Sequence, residues 1–339
     1  MPTSKTPEER FREMVKTNEG WEQFEDILKD VTVKCSIQPL ATDKERQILL
    51  KTNTVIDDLF GGGLSAGQTV EIYGEYASGK SQTIVTLVVE AADKGTVVYI
   101  DAEDTFSRNR IIQVAKERGK DVNKISNNIL LFSPDNWEEQ LAVASQLPDP
   151  LPSKLQLIVL DSLMALFRST PEFAGRQNLG KRQELIRWHL RQLKRKAKAE
   201  GCIVVYTNQV YDDPVANPFL PDWASQQAAG GHSVYHLGDY RIFLRKAMGN
   251  IRIARLVDSV DTPPSERIFR INEKGIDDLP QEMMEEAKKR IEKYEKSQTD
   301  AKLSKAKKKE TEKTVENTEN NEKTSTVNET EPPEEETPV

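Results

Sequence analysis

The run Gly74-Glu75-Tyr76-Ala77-Ser78-Gly79-Lys80-Ser81 has the spacing of a phosphate-holding loop, G-x-x-x-x-G-K-[ST]. Its residue types state the chemistry. Gly74 and Gly79 let the backbone close tightly around an anion, so that N–H groups and the start of the next helix face it. Lys80 is placed to reach the β- and γ-phosphates of a nucleotide, and Ser81 to hold Mg²⁺. Such a match arises by accident about once in a hundred chains of this length, so its surroundings matter. Thr69–Tyr73 is a β-like run directly before the loop, and an apolar helical stretch, opened by Gln82 and reaching Glu90, follows it. The expected ligand is ATP with Mg²⁺.

Two further stretches supply carboxylates. Leu155-Gln-Leu-Ile-Val-Leu-Asp161 is an apolar run ending in an acid, which as a buried parallel strand delivers Asp161 to the edge where the loop sits. There Asp161 can hold Mg²⁺ through water. Val97-Val-Tyr-Ile-Asp101-Ala-Glu103 brings two more acids to the same edge. Glu103 is the candidate for positioning or deprotonating an attacking water. The plainer role, capping the following helix, stays open for both Asp101 and Glu103.

These groups need a scaffold that presents several strand ends side by side. Strands are predicted at Thr69–Tyr73, Thr96–Asp101, Ile129–Phe132, Leu155–Asp161, Cys202–Thr207, Tyr240–Arg245, Arg252–Val257 and Ile268–Asn272. Helices at Ser81–Lys94, Arg108–Arg118, Trp137–Gln146 and Lys181–Glu200 make crossovers between them. That alternation predicts an α/β fold with a mostly parallel central sheet, extended by antiparallel strands at its end. Three regions follow. Residues 1–45 read as a helical and strand arm, with Phe11, Met14, Val15, Trp21, Phe24, Ile27 and Leu28 at near-helical spacing. Residues 46–280 form the core, and 281–339 a charged tail that begins helical and is expected to be largely disordered.

Composition removes several classes of function. No apolar run approaches the roughly 18 residues needed to span a bilayer, and Met1-Pro-Thr-Ser-Lys-Thr-Pro lacks the apolar core of a secretory signal. Cys35 and Cys202 lie in β-like runs with no metal-ligand spacing, and read as buried small hydrophobes. The expected compartment is intracellular and reducing, the cytoplasm. The net charge of −7 is uneven: residues 281–339 carry 12 basic and 16 acidic side chains, leaving 36 and 39, or −3, for the rest. DNA binding depends on local clusters, so this balance does not exclude it.

The ordered motifs resemble the RadA family, archaeal RecA-type strand-exchange proteins. The resemblance covers about residues 46–280. It runs through Thr54-Val-Ile-Asp-Asp-Leu-Phe-Gly-Gly-Gly-Leu64, the phosphate loop with Gln82, and Tyr99-Ile-Asp-Ala-Glu-Asp-Thr-Phe106. Beyond these come Phe167-Arg-Ser-Thr-Pro-Glu-Phe-Ala-Gly-Arg176 with Arg182-Gln183, Thr207-Asn-Gln209-Val210, and Gly230-Gly-His232 through Glu273-Lys-Gly-Ile276. It implies a RecA-type P-loop NTPase core with DNA-dependent ATP hydrolysis, and maps the catalytic glutamate onto Glu103. Gln209 takes the role of sensing the γ-phosphate at the start of a second DNA loop. Arg168, Arg176, Lys181 and Arg182 fall in the first DNA loop, where guanidinium and ammonium groups bind single-strand phosphates without regard to sequence. Single-stranded DNA is the implied partner, with a RadA recombinase or further copies of the chain.

The sequence also departs from that family. Its N-terminal helix-hairpin-helix domain has no counterpart here, and its Phe-x-x-Ala docking element is met only by Phe24-Glu-Asp-Ile27. Ser107-Arg-Asn-Arg110 stands where the family has Arg-Pro-Glu-Arg, so adenine contacts pass to Arg108 or Arg110. The segment Val210–Ala229 has no periodicity and carries Pro and Asp rather than basic residues. Three readings follow: a RadA-like accessory paralogue in recombination and repair, a full strand-exchange recombinase, or a RecA-fold regulatory ATPase that does not act on DNA.

Overall fold

The computed structural model describes residues 47–148, 150–212, 226–230 and 237–294, with 296, 297, 300 and 304 beyond them. The arm at 1–45, with Cys35 and Phe24-Glu-Asp-Ile27, lies outside these residues. So do 213–225 and 231–236, the latter including His232.

The chain enters through β1 (Ile48–Leu50), a three-ten turn at Val55–Phe60, and β2 (Leu64–Ser65), which pairs back on β1. Asp57 fixes this entry by accepting from the Thr52 and Asn53 amides at 2.7 and 2.8 Å. Next come β3 (Thr69–Gly74), α1 (Lys80–Ala92), β4 (Thr96–Asp101), α2 (Arg108–Glu117), α3 (Val122–Asn128) and β5 (Ile129–Phe132). They are followed by α4 (Trp137–Ala142), β6 (Leu155–Asp161), the short α5 (Ala165–Ser169), α6 (Leu179–Glu200) and β7 (Ile203–Asn208). A two-stranded ribbon, β8 (Val210–Asp212) with β9 (Gln226–Ala228), precedes β10 (Tyr240–Lys246), β11 (Ile251–Ser259), β12 (Ser265–Asn272) and β13 (Gly275–Asp278). A last helix, α7, covers 281–294.

Nine strands form one sheet in the order β13-β12-β11-β10-β3-β7-β6-β4-β5. The six from β10 to β5 are parallel, and β11 to β13 add antiparallel neighbours. This is the predicted architecture, antiparallel extension included. The central parallel strands β3, β4, β6 and β7 are buried along their length because crossover helices cover the sheet, which is why they read as largely apolar runs. Helix α1 is buried from Thr83 to Ala92, and its hydrophobicity accordingly runs around the whole helix. Helix α6 is amphipathic, burying Ile186, His189, Leu190, Leu193 and Ala197 and stopping at Gly201 in the left-handed conformation (φ 65°).

Most differences from expectation lie where no apolar period marks an element. Helix α3 is polar, Val-Asn-Lys-Ile-Ser-Asn-Asn, and is held by Asp121 accepting from the Asn123 and Lys124 amides. The stretch expected as one helix from Trp137 to Gln146 is α-helical only to Ala142 and three-ten at Val143–Ser145. The two ends of the unpatterned segment after Gln209 pair with each other as β8 and β9. The packed core also continues past Leu279: Ala287 of α7 is buried against Ile251 and Leu279, with Met284 beside them. Cys202 is buried as expected, and burial pushes its thiol pKa up to about 12.

Candidate nucleotide site and its link to the first loop

Strand order decides the site. The chain leaves the C-terminal ends of β3, β7, β6 and β4, neighbours in the sheet, through the phosphate loop, Gln209, Asp161 and Glu103. These groups, far apart in sequence, line one cavity of about 930 Å³ together with Lys80, Ser81, Gln82, Thr105 and Arg110. A crevice at the carboxyl ends of parallel strands is where open α/β sheets bind ligands.

The loop must begin with glycine because a Cβ on Gly74 would stand 2.1 Å from the Leu244 carbonyl oxygen on β10. Gly79 caps α1 in the left-handed region (φ 106°). Lys80 donates to the Gly74 and Glu75 carbonyls, both at 2.8 Å, and makes no ion pair among the described residues. Burial lowers its ammonium pKa, while the Glu103, Asp161 and Glu75 carboxylates pull the other way. The Ser78 hydroxyl is buried without a partner among the described residues, and Ser81 stands exposed at the first turn of α1. Arg252 of β11 donates from Nε to the Ala77 carbonyl at 3.0 Å, tying the loop to the antiparallel half of the sheet. A half-buried cation and a buried hydroxyl at a helix N-terminus suit a polyphosphate. Among the described residues no cluster of three or more acids, cysteines or histidines could hold a metal alone. Ser81 and Asp161 both line the cavity, and Mg²⁺ typically takes one or two protein ligands and completes its shell with phosphates and water.

Asp161 is held rigidly. Tyr99 donates to Oδ2 at 2.9 Å, and Thr207 makes a short hydrogen bond to Oδ1. Burial raises the Asp161 pKa, and those two hydrogen bonds oppose the shift. Its neighbour Asp101 has another task, accepting from the Thr105 and Phe106 amides at 3.1 and 2.8 Å to form the turn after β4. Neither acid caps α2: that role falls to Ser107, whose hydroxyl accepts from the Arg110 amide at 3.3 Å. Glu103 lies within the turn after β4, and its carboxylate has other partners. It accepts from the Ser162 hydroxyl at 2.5 Å and from Gln209 Nε2 at 3.3 Å.

Gln209 continues the chain of contacts outward, since its Oε1 accepts from Arg168 Nη1 at 2.6 Å. Arg168 sits on α5, whose Phe167 packs with Phe173 and Trp137 at ring separations of 5.7 and 6.2 Å. Loop one is thus anchored by an aromatic cluster and touches the nucleotide cavity through one side chain. The other residues expected there are differently placed. Lys181 pairs with Glu172 at 2.5 Å and lies over Phe173, and Arg182 is half-buried with its Nε unpartnered among the described residues. Arg176 lies in a three-ten turn before α6.

Arg110 borders the cavity but is fully engaged. Its guanidinium donates to Gln82 at 2.8 Å, Gln113 at 2.6 Å and the Asn272 carbonyl at 2.5 Å. Arg108 is exposed and does not line the cavity, so the structure separates the two adenine candidates. Sequence reasoning missed Tyr99, Thr207, Ser162, Arg252 and Gln226. Ser162 follows Asp161, and Tyr99 and Thr207 open two of the quoted motifs, so all three were findable by position. Arg252 and Gln226, which hydrogen-bonds Glu75 of the loop, carry no local signal.

Residues 44–279 match the family described as Rad51. The chain is 39% identical over 250 residues to the DNA repair and recombination protein RadA of Ignicoccus hospitalis, covering 69% of this chain and 75% of the relative. It is 35% identical over 273 residues to the RadA of Methanococcus maripaludis, covering 74% and 82%. The cavity at the sheet edge and these likenesses lead to one statement: the chain belongs to the Rad51 family.

Proposed function

We propose that this protein hydrolyses ATP, binds single-stranded DNA in an ATP-dependent manner, and serves homologous recombination and DNA repair as a RadA-like accessory protein in the cytoplasm. The observation that carries this reading is the hydrogen-bonded series Ser162–Glu103–Gln209–Arg168, which joins the hydrolytic edge to loop one. Lys80 and the loop amides bind and orient the polyphosphate. Ser81 and Asp161 would hold Mg²⁺, which neutralises charge on the β- and γ-phosphate oxygens when bound. Glu103 orients the attacking water and accepts its proton. Gln209 exchanges its partners with the state of the γ-phosphate, and Arg168, released or held, passes that state to loop one. Arg176, Lys181 and Arg182 add cationic contacts to the DNA backbone.

Two features favour an accessory role over autonomous strand exchange. Arg110 is committed to Gln82, Gln113 and Asn272 rather than open to a base, and the segment following Gln209 is rich in Pro and Asp rather than Lys and Arg. Its partners are then single-stranded DNA and either a RadA recombinase or copies of itself. The test is the ATPase rate with and without single-stranded DNA, followed by strand exchange with the isolated protein. DNA-stimulated turnover without strand exchange is expected. Turnover unmoved by DNA, with no DNA binding, transfers the protein to the regulatory ATPases. Efficient exchange without RadA makes it a recombinase in its own right.

A further inference from the structure

Helix α6 leaves loop one and runs for 22 residues, about 33 Å at 1.5 Å per residue. One face is core. The opposite face exposes Lys181, Glu184, Trp188, Arg191, Arg195 and Lys198, spaced by three or four residues and so stacked in a single line. The first part of the line is electrically balanced: Lys181 is bound to Glu172, and Glu184 follows it. The second part is not. Lys194 and Lys196, on the flanks, are paired with Asp239 and Glu200, but Arg191, Arg195 and Lys198 make no hydrogen bond or ion pair among the described residues. Trp188 heads these three cations with 48% of its surface exposed. A shallow groove of about 430 Å³ lies beside it, lined by Leu141, Ala144, Trp188, Gln192, Arg195 and Ala199.

We propose that the Trp188–Arg191–Arg195–Lys198 stripe is a second contact surface for single-stranded DNA, extending loop one along α6. The chemistry is that of sequence-independent strand binding: an aromatic face on which a base stacks, next to a row of unpaired cations that follows the phosphates. Continuity supports the single strand as occupant, because α6 begins at the residue after the loop-one turn Arg176–Asn178. An acidic polypeptide would use the cations but has no base to lay on the indole. The inference rests on the proposed DNA-binding function and adds the path of the strand.

The test uses the full chain and fluorescently labelled oligothymidylates of about 4 and about 16 nucleotides, the range of known single-strand site sizes. Two stripe variants are compared with the parent and with Arg168→Ala/Arg176→Ala: Arg191→Gln/Arg195→Gln/Lys198→Gln, and Trp188→Ala. All four stripe positions are exposed, so melting temperatures should match the parent. With the long oligomer, losing three phosphate contacts lowers the slope of log K against log salt by about 2, or roughly 20-fold across a fourfold change in salt. Trp188→Ala weakens binding about fivefold or more and removes the oligomer-induced quenching of indole fluorescence. The short oligomer binds parent and stripe variants alike. A salt slope unchanged in the triple variant overturns the proposal, as does quenching unchanged in Trp188→Ala. Tighter binding of poly-glutamate than of the long oligomer also overturns it. Loss of binding in the loop-one variant with full binding in both stripe variants removes the stripe alone. Absence of oligomer binding by the parent removes the DNA-binding function itself.

Discussion

Replacing Arg241 by methionine tests how the sheet holds the exit of the second loop. Arg241 on β10 stands in register with Glu71 on β3, and its Nε meets Glu71 Oε2 at 2.6 Å. Glu71 is fully buried, and its other oxygen accepts from Asn208 Nδ2 at 3.0 Å. Asn208 also donates to the Ala229 carbonyl at 2.6 Å, while the Ala229 amide donates to Gln209 at 2.8 Å. Arg241→Met therefore strands a buried carboxylate whose one remaining partner also holds the ribbon leading from Gln209. Breaking a buried pair from one side costs about 3–5 kcal/mol. In a core of this size each kcal/mol moves the melting temperature by about 2–4 °C, so a fall of about 6–20 °C is expected. Substituting Glu71 by methionine as well removes the stranded charge and returns stability to the parent value or up to about 4 kcal/mol above it. Thermal and urea unfolding of the four proteins in a double-mutant cycle measures the coupling. DNA-stimulated ATP turnover at a temperature where the single variant is folded should fall more than basal turnover. A single variant melting within about 2 °C of the parent would refute the reasoning, as would a double variant as unstable as the single.

Three further outcomes are expected. Lys80→Ala removes charge-assisted hydrogen bonds worth about 1.5–3 kcal/mol, so affinity for a fluorescent ATP analogue should drop at least tenfold; unchanged titration curves would exclude Lys80 from phosphate binding. Glu103→Gln should cut turnover about 10²–10⁴-fold with ATP affinity nearly preserved, and parallel losses in both would point to a binding role instead. Burial holds the His189 pKa at about 4, below its unfolded value near 6.5. The unfolded chain therefore binds the extra proton first, and stability should fall by about 3 kcal/mol as pH drops from 6.5 to 4, returning as pH rises. His189→Leu should flatten the melting curve across that window, and an unaltered pH dependence would show that the imidazole is not the group responsible.

Part of this was legible in the sequence because the signal is local. A glycine-lysine loop between a strand and a helix can be read from eight residues, and Asp161 from the apolar strand that ends in it. Glu103 was legible as one of two acids, but which of them caps the turn was not, since the choice depends on where the Thr105 and Phe106 amides point. Arg108 and Arg110 posed the same problem. Two residues apart on a helix start, they face different surroundings, and only Arg110 borders the cavity.

The sequence by itself determined the fold class, the phosphate loop and the placement of carboxylates at strand ends, because period and spacing act over a few residues. The tertiary structure decided which strand ends are neighbours. The order β3-β7-β6-β4 makes one cavity of segments more than a hundred residues apart and sets Gln209 between Glu103 and Arg168. It also decided which cations are free. Lys181 and Lys194 found carboxylates brought near by folding, and Lys196 pairs with Glu200 one turn along its own helix, while Arg191, Arg195 and Lys198 have no such partner among the described residues. Charge neutralisation is set by distance in space, and a count along the chain carries no record of it.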